Sequence, residues 1–207
     1  LKENNSSGAD IAFDATINAA ISGSSISINP NSNLSSTQVV YVAIGATVED
    51  ASNNAINAAN ASFTTADVSA PTMAITSAEV SDGASSNDST LAMTFTSSEA
   101  TSNFVVGDIS VNGGALSSFN ATSSTVYTAT FTPSGDGAKT IDVAAGAFTD
   151  SSSNNNSAAN QFNWTYDSSS PTLSSSTPVD GSTGIAVDAN IVLTFSEAVD
   201  VESGNIV

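Results

Sequence analysis

The chain of 207 residues contains no cysteine and no histidine. Without cysteine there is no disulfide, no thiol nucleophile and no thiolate metal site. Without histidine the usual general base is missing, together with the Ser-His nucleophile pair and most zinc centres. Basic residues are almost absent: Lys2 and Lys139 stand against 20 acidic residues, a formal charge of −18. Phosphate contacts need Lys and Arg, so nucleic acid is excluded as a natural partner, and an anionic membrane surface is disfavoured for the same reason. Aromatics make up only 6% of the residues and much of the apolar content is alanine, which points to thin, strand-built cores. No signal peptide or membrane span is visible, and Leu1 does not look like a natural start, which suggests a fragment of something longer.

What remains is Ser, Thr, Asn, Ala, Val and Gly. The charged partner best matched to so acidic a chain is a cation, most simply Ca²⁺, which takes carboxylate and carbonyl oxygens. The sequence also repeats itself. Asp67 to Thr72 reads Asp-Val-Ser-Ala-Pro-Thr, and 100 residues later Asp167 to Thr172 reads Asp-Ser-Ser-Ser-Pro-Thr. Proline cannot donate to a sheet ladder, so each stretch suits a junction between strands. Phe95 and Phe195 lie in similar Thr-Phe surroundings, and Asp50 and Asp150 both precede Ser/Asn-rich stretches ending in Ala-Ala-Asn. Repetition at this spacing means one structural unit of about a hundred residues.

Within the units, apolar and polar residues alternate as half-buried strands require. In residues 1–67 the pairs Ile11/Phe13 and Ile26/Ile28, then Val40/Val42/Ile44, mark strands; a polar loop over 49–60 precedes a last strand around Phe63. Residues 71–167 hold a full set: Met73/Ile75, a turn over 81–89, Leu91/Met93/Phe95, Ile109/Val111, Tyr127/Ala129/Phe131, Ile141/Val143 and a final strand over 161–166. About seven short strands at this spacing predict an antiparallel sandwich. Residues 171–207 begin the pattern again, with Ile191/Leu193/Phe195 as its second strand. The 37 residues there and the 67 at the start together make about one period. The expected organisation is therefore the closing part of a domain in 1–67, a complete domain in 71–167 and the opening part in 171–207. The two parts would be joined by the next repeat or by a neighbouring subunit through strand addition.

These residues resemble known families. Pro-Val-Asp-Gly-Ser-Thr-Gly-Ile-Ala-Val-Asp-Ala-Asn-Ile-Val-Leu-Thr-Phe-Ser-Glu-Ala-Val, within 171–200, looks like the opening of a bacterial Ig-like domain of surface proteins, and 1–67 looks like its closing half. Residues 71–167 are similar to a related bacterial Ig-like repeat of large adhesins, through Phe-Thr-Ser-Ser-Glu-Ala-Thr, Tyr-Thr-Ala-Thr-Phe-Thr-Pro and Gly-Ala-Phe-Thr-Asp. The resemblance implies an all-β fold of tandem Ig-like antiparallel sandwiches, about 100 residues each. It also implies an extracellular stalk or filament module at the cell surface, often with Ca²⁺ between domains.

An Ig-like path from Pro71 sends the first strand away from the junction and returns the second to it. Glu99 then falls beside Asp67, and the loop from Asp150 to Asn156 reaches the same pole, so Asp67, Glu99 and Asp150 are expected to converge. At the next junction Asp167 meets Glu197, with Asp200 near and the third carboxylate supplied by Asp50 of a following copy. Hard oxygen ligands from a linker and two loops suit Ca²⁺ better than Mg²⁺; the competing reading is a set of solvated acidic loops that confer solubility. Adjacent Glu49 and Asp50 raise glycoside hydrolysis, but they share a loop with no aromatic cleft, and no enzymatic reaction is expected. Trp164 alternates with core positions, which favours burial over a sugar platform. Lys139 has inward parity, the requirement for an isopeptide crosslink, although a polar strand start explains it equally. Asn33, Asn60, Asn87, Asn120 and Asn163 open Asn-x-Ser/Thr sequons. The function expected is structural. The alternatives are a glycan- or protein-binding adhesive module and an accessory domain of a secreted hydrolase; the expected partners are neighbouring copies and a cell-surface ligand.

Overall fold

The computed structural model describes residues 1–5, 7–12, 19–22, 25–45 and 48–200, for 19–22 the backbone alone. In chain order the strands are β1 (Lys2–Glu3), β2 (Ala19–Ser22), β3 (Ser25–Ile28), β4 (Val39–Ile44), β5 (Ala59–Thr64), β6 (Met73–Ser77), β7 (Ser85–Ser86) and β8 (Leu91–Ser97). They continue as β9 (Ile109–Asn112), β10 (Gly114–Ala121), β11 (Val126–Pro133), β12 (Gly137–Val143), β13 (Phe162–Tyr166), β14 (Leu173–Thr177) and β15 (Val192–Phe195). The single helical element among the described residues is a 3₁₀ turn, Val106–Asp108. Few long helix-forming side chains and many β-branched ones leave the sheet as the available structure.

Residues 71–167 close into a sandwich. The front sheet runs β10-β11-β8-β6 and the back sheet β7-β13-β12-β9. In β8 the residues Leu91, Met93, Phe95 and Ser97 face inward and are buried, while the intervening side chains are not. Phe95 stands opposite Tyr127 on β11 and Ile75 on β6. The back sheet answers with Ile109, Ile141, Val143, Phe162 and Trp164. Phe131 meets Trp164 edge-on across the layers at 4.8 Å, and Phe104 packs edge-on against Tyr127 at 5.0 Å and Phe148 at 5.2 Å. Each such side chain contributes about 1.5–3 kcal/mol on leaving water, so a few large residues carry a core otherwise built of alanine and valine.

Three features differ from the sequence reading. β10 is an eight-residue strand that alternation does not reveal, because a bulge between Ser117 and Asn120, with Ser118 at φ 54°, puts Leu116 and Phe119 out of the two-residue period. The turn expected over 81–89 contains β7, which pairs parallel with β13, so the sandwich is not wholly antiparallel. Ile11 lies outside any strand, just after an isolated bridge between Lys2 and Asp10, while Phe13 falls outside the described residues.

Lys139 does point inward. It is buried beside Trp164 on the neighbouring strand, and its Nζ reaches the Asp136 carbonyl at 3.4 Å. Its stem fills the space that a Cβ on Gly113 would occupy, 2.6 Å from Lys139 Cδ, and Gly113 itself sits at φ 77°. Glycine at that turn is thus required twice, by the backbone and by the lysine.

Two partial units flank the sandwich. Residues 1–65 supply a sheet ordered β1-β4-β5 and a separate β2-β3 hairpin; residues 171–200 supply the β14-β15 pair. Truncating Phe95, fully buried at the centre of the front sheet, removes the largest contact between the layers. Phe95→Ala is expected to cost about 3–5 kcal/mol, measured as a lowered denaturant midpoint with little change in slope.

Candidate metal centre

The linker from Asp67 to Thr72 is gripped from both sides. Asp67 Oδ1 accepts hydrogen bonds from the Ser36 hydroxyl at 2.9 Å and the Ser69 amide at 3.0 Å, and the Ser36 hydroxyl in turn accepts one from the Val68 amide. Farther along, the Thr72 amide donates to the Ser98 hydroxyl and the Ser98 amide to the Thr72 carbonyl. This exchange fixes the end of β8 beside the linker and carries Glu99 with it.

The third contributor is the loop after the Phe148 region. Asp150 turns back on its own backbone: Oδ1 accepts the amides of Ser152 at 2.8 Å and Asn154 at 2.9 Å, and Oδ2 accepts the Asn154 side-chain amide at 2.9 Å. Such Asx geometry tolerates a left-handed residue, here Ser153 at φ 68°. Asn156, 2% exposed, ties down the loop base. It accepts the Phe148 amide and donates to the Ala144 and Ser157 carbonyls. The loop then clasps the linker: Asn154 Nδ2 donates to the Asp67 carbonyl at 3.2 Å and the Ser157 amide to the Pro71 carbonyl at 3.0 Å.

These contacts bring one carboxylate oxygen each from Asp67, Glu99 and Asp150 to within 4.8 Å of one another, Asp150 buried and the other two partly exposed. The electrostatic burden is uneven. Amide and hydroxyl donors, Ser69 first and Ser36 next, hold the Asp67 carboxyl below the usual range. Glu99 is pushed up, by partial desolvation first and then by the negative charges of Asp67 and Asp150. The donor set is all oxygen. Ligands lying 2.3–2.6 Å from Ca²⁺ are at most about 5 Å apart, whereas the roughly 2.0–2.1 Å of Mg²⁺ confines them to about 4 Å. The observed spacing therefore fits the larger ion, and a divalent charge would relieve the strain placed on Glu99.

A family model described as a bacterial Ig-like domain matches residues 67–166. A second model of the same description matches residues 2–65 and 167–207, so the two together span nearly the whole chain. The chain belongs to the bacterial Ig-like domains. No curated protein and no solved structure matches it closely enough to add a relative.

Not all of the expected site residues come together in this Ig-like chain. Asp167 and Asp200 are exposed and Glu197 partly so, and the grouping of three carboxylates found at the first junction is not repeated around them among the described residues. Asp50 is exposed in the partial unit, yet its loop copies that of Asp150. Its Oδ1 accepts the Ser52 and Asn54 amides at 2.8 and 2.9 Å, its Oδ2 the Asn54 side-chain amide at 2.9 Å, and Asn53 sits at φ 60°. Trp164 is 3% exposed, which rules it out as a sugar platform.

The sequence reading overlooked Ser36, Asn154, Asn156 and Asp136. The first three hold the site's backbone, and only the hundred-residue offset between the two Asp loops hinted at Asn154. Asp136, the counterpart of Ser36, holds the second linker: its carboxylate accepts the Ser168 amide and hydroxyl at 2.9 and 2.7 Å and the Ser169 hydroxyl at 2.7 Å.

Two outcomes follow from this geometry. Replacing Asn156 by alanine strands two buried carbonyls and one amide, each worth roughly 1–3 kcal/mol when unsatisfied, so Asn156→Ala should lower the chemical-unfolding midpoint well beyond an exposed Asn→Ala change. The Ser168 amide bond holds the Asp136 carboxyl below its ordinary value, with the two serine hydroxyls adding to it. A lowered carboxyl stabilises the contact fully above the unfolded pKa of about 3.9 and loses it as pH falls through the lowered value. Intrinsic-rate-corrected exchange of the Ser168 amide should be slow at pH 6 and speed up below about pH 4, and Asp136→Ala should remove the slow regime.

Proposed function

We propose that this chain is a structural repeat module of an extracellular bacterial adhesin stalk or surface filament, with joints stiffened by calcium. Bacterial Ig-like domains are structural modules rather than an enzymatic family and occur commonly in extracellular and surface proteins. The observation that carries the proposal is the meeting of linker and loops at the joint, where Asp67, Glu99 and Asp150 present three carboxylate oxygens within 4.8 Å. Asp67 is bonded to Ser36 on one side and to Asn154 on the other. An ion held there would tie the linker to both loops of the following unit and limit its swing. Asp167 and Glu197 take the same role at the next joint, completed by the Asp50 loop of a following copy; the shared hydrogen bonds of the Asp50 and Asp150 loops support that assignment.

The test is thermal unfolding with Ca²⁺ and with chelator, paired with small-angle scattering. A ligand that binds only the folded state stabilises it by about 2.7 kcal/mol at a hundredfold excess over Kd. Calcium should therefore raise the midpoint and lengthen or narrow the distance distribution, and the triple variant Asp67→Asn, Glu99→Gln, Asp150→Asn should lose both responses. A midpoint and shape indifferent to chelation would overturn the calcium joint while leaving the spacer role to be judged by extension alone.

A further inference from the structure

The two partial units leave matching strand edges open, and the complete unit shows what each lacks. In the complete front sheet β8 has β6 on one edge and β11 on the other. β15 corresponds to β8 and has only β14, which corresponds to β6. The Thr172 amide bonds the Ser196 hydroxyl and the Ser196 amide the Thr172 carbonyl, as Thr72 and Ser98 do in the complete unit. β3 corresponds to β11 and has only β2, which corresponds to β10. After β3 the Asn31 amide bonds the Ala12 carbonyl at 3.0 Å, just as after β11 the Ser134 amide bonds the Gly113 carbonyl at 2.9 Å. The hairpin lacks the neighbour that β15 could be, and β15 lacks the neighbour that β3 could be.

The apolar faces match in the same way. Leu173, Ile191 and Leu193 are 55%, 78% and 37% exposed, whereas their counterparts Met73, Leu91 and Met93 are 4%, 0% and 1% exposed. Ile26 and Phe63 are exposed on the other partial unit. One family model matches both pieces, 2–65 and 167–207, so the face that fits residues 167–200 is the one this chain carries in residues 1–65.

We propose that β3 of one copy of this chain pairs antiparallel with β15 of a second copy, closing a sandwich whose front sheet runs β2-β3-β15-β14. The register follows from the complete unit, where Phe131 opposes Leu91 and Ala129 opposes Met93. Ile28 therefore opposes Ile191 and Ile26 opposes Leu193. The contact is a domain core divided between two chains, the most apolar class of interface, and the added strand supplies main-chain hydrogen bonds. Each copy offers one piece of each kind, so the contact is head-to-tail and propagates into a filament unless its rotation closes a ring.

The absence of cysteine makes the register directly testable. Ser25 and Thr194 are the counterparts of Thr128 and Thr94, which are direct partners on the outer face. Ser25→Cys and Thr194→Cys are introduced in separate full chains and oxidised in chelator, so that the result is independent of any cation. The mixture should give a disulfide-linked dimer well above that of either variant alone, the double variant should give a ladder of multimers, and Ser27→Cys mixed with Thr194→Cys should give far less dimer. The unmodified chain should show concentration-dependent head-to-tail multimers by sedimentation. A monomer at every concentration, a closed intramolecular disulfide in the double variant, or equal crosslinking from the shifted pair would each overturn the proposal.

Discussion

The joint depends on short-range hydrogen bonds that fix each carboxylate before it meets the others. Three like charges within 4.8 Å would drift apart on free side chains. Asp150 cannot drift, because amides two and four residues ahead hold one of its oxygens and the Asn154 side chain holds the other. Asp67 is held by Ser36 and Ser69. Repulsion is thus concentrated on Glu99, whose carboxyl is driven up while that of Asp67 is drawn down. Local geometry places the charge, and the cation, in the proposed reading, settles the account.

The sandwich behind the joint makes this possible at a distance. Inward residues of β8 and β11 fix the height at which their loops leave the core, so Ser98 and Glu99 emerge level with the linker. Buried Asn156 does the same for the other loop, through three hydrogen bonds at its base. In the partial unit Ile56 stands where Asn156 does, and its amide makes the same bond back to the strand end, to Val48. The backbone course is therefore shared by both loops while the means of anchoring differ.

Much of this was readable from residues alone. Alternation exposed Leu91, Met93 and Phe95 because β8 is regular and packed on one face. The hundred-residue echo exposed Asp67 and Asp150, since an acidic residue is conspicuous at a fixed offset. β10 stayed hidden because its bulge shifts Phe119 out of phase with Leu116, and β7 because two serines carry no pattern. Asn154 and Asn156 stayed hidden for a compositional reason: in a chain crowded with asparagine, the two that fold a loop look like those that do not. Asp136 was legible only as part of a turn, since nothing in Ser-Gly-Asp-Gly signals which later amides its carboxylate will meet.

Asn154 holds the linker through a side-chain amide, whose two N–H groups reach the Asp67 carbonyl and the Asp150 carboxylate. Amides of this kind hydrolyse slowly in water. Here the product would replace both donors with a fourth negative charge facing the other three. An uncut backbone could therefore still lose its grip on the linker, and the joint would age by the clock of one side chain rather than by wear on the strands.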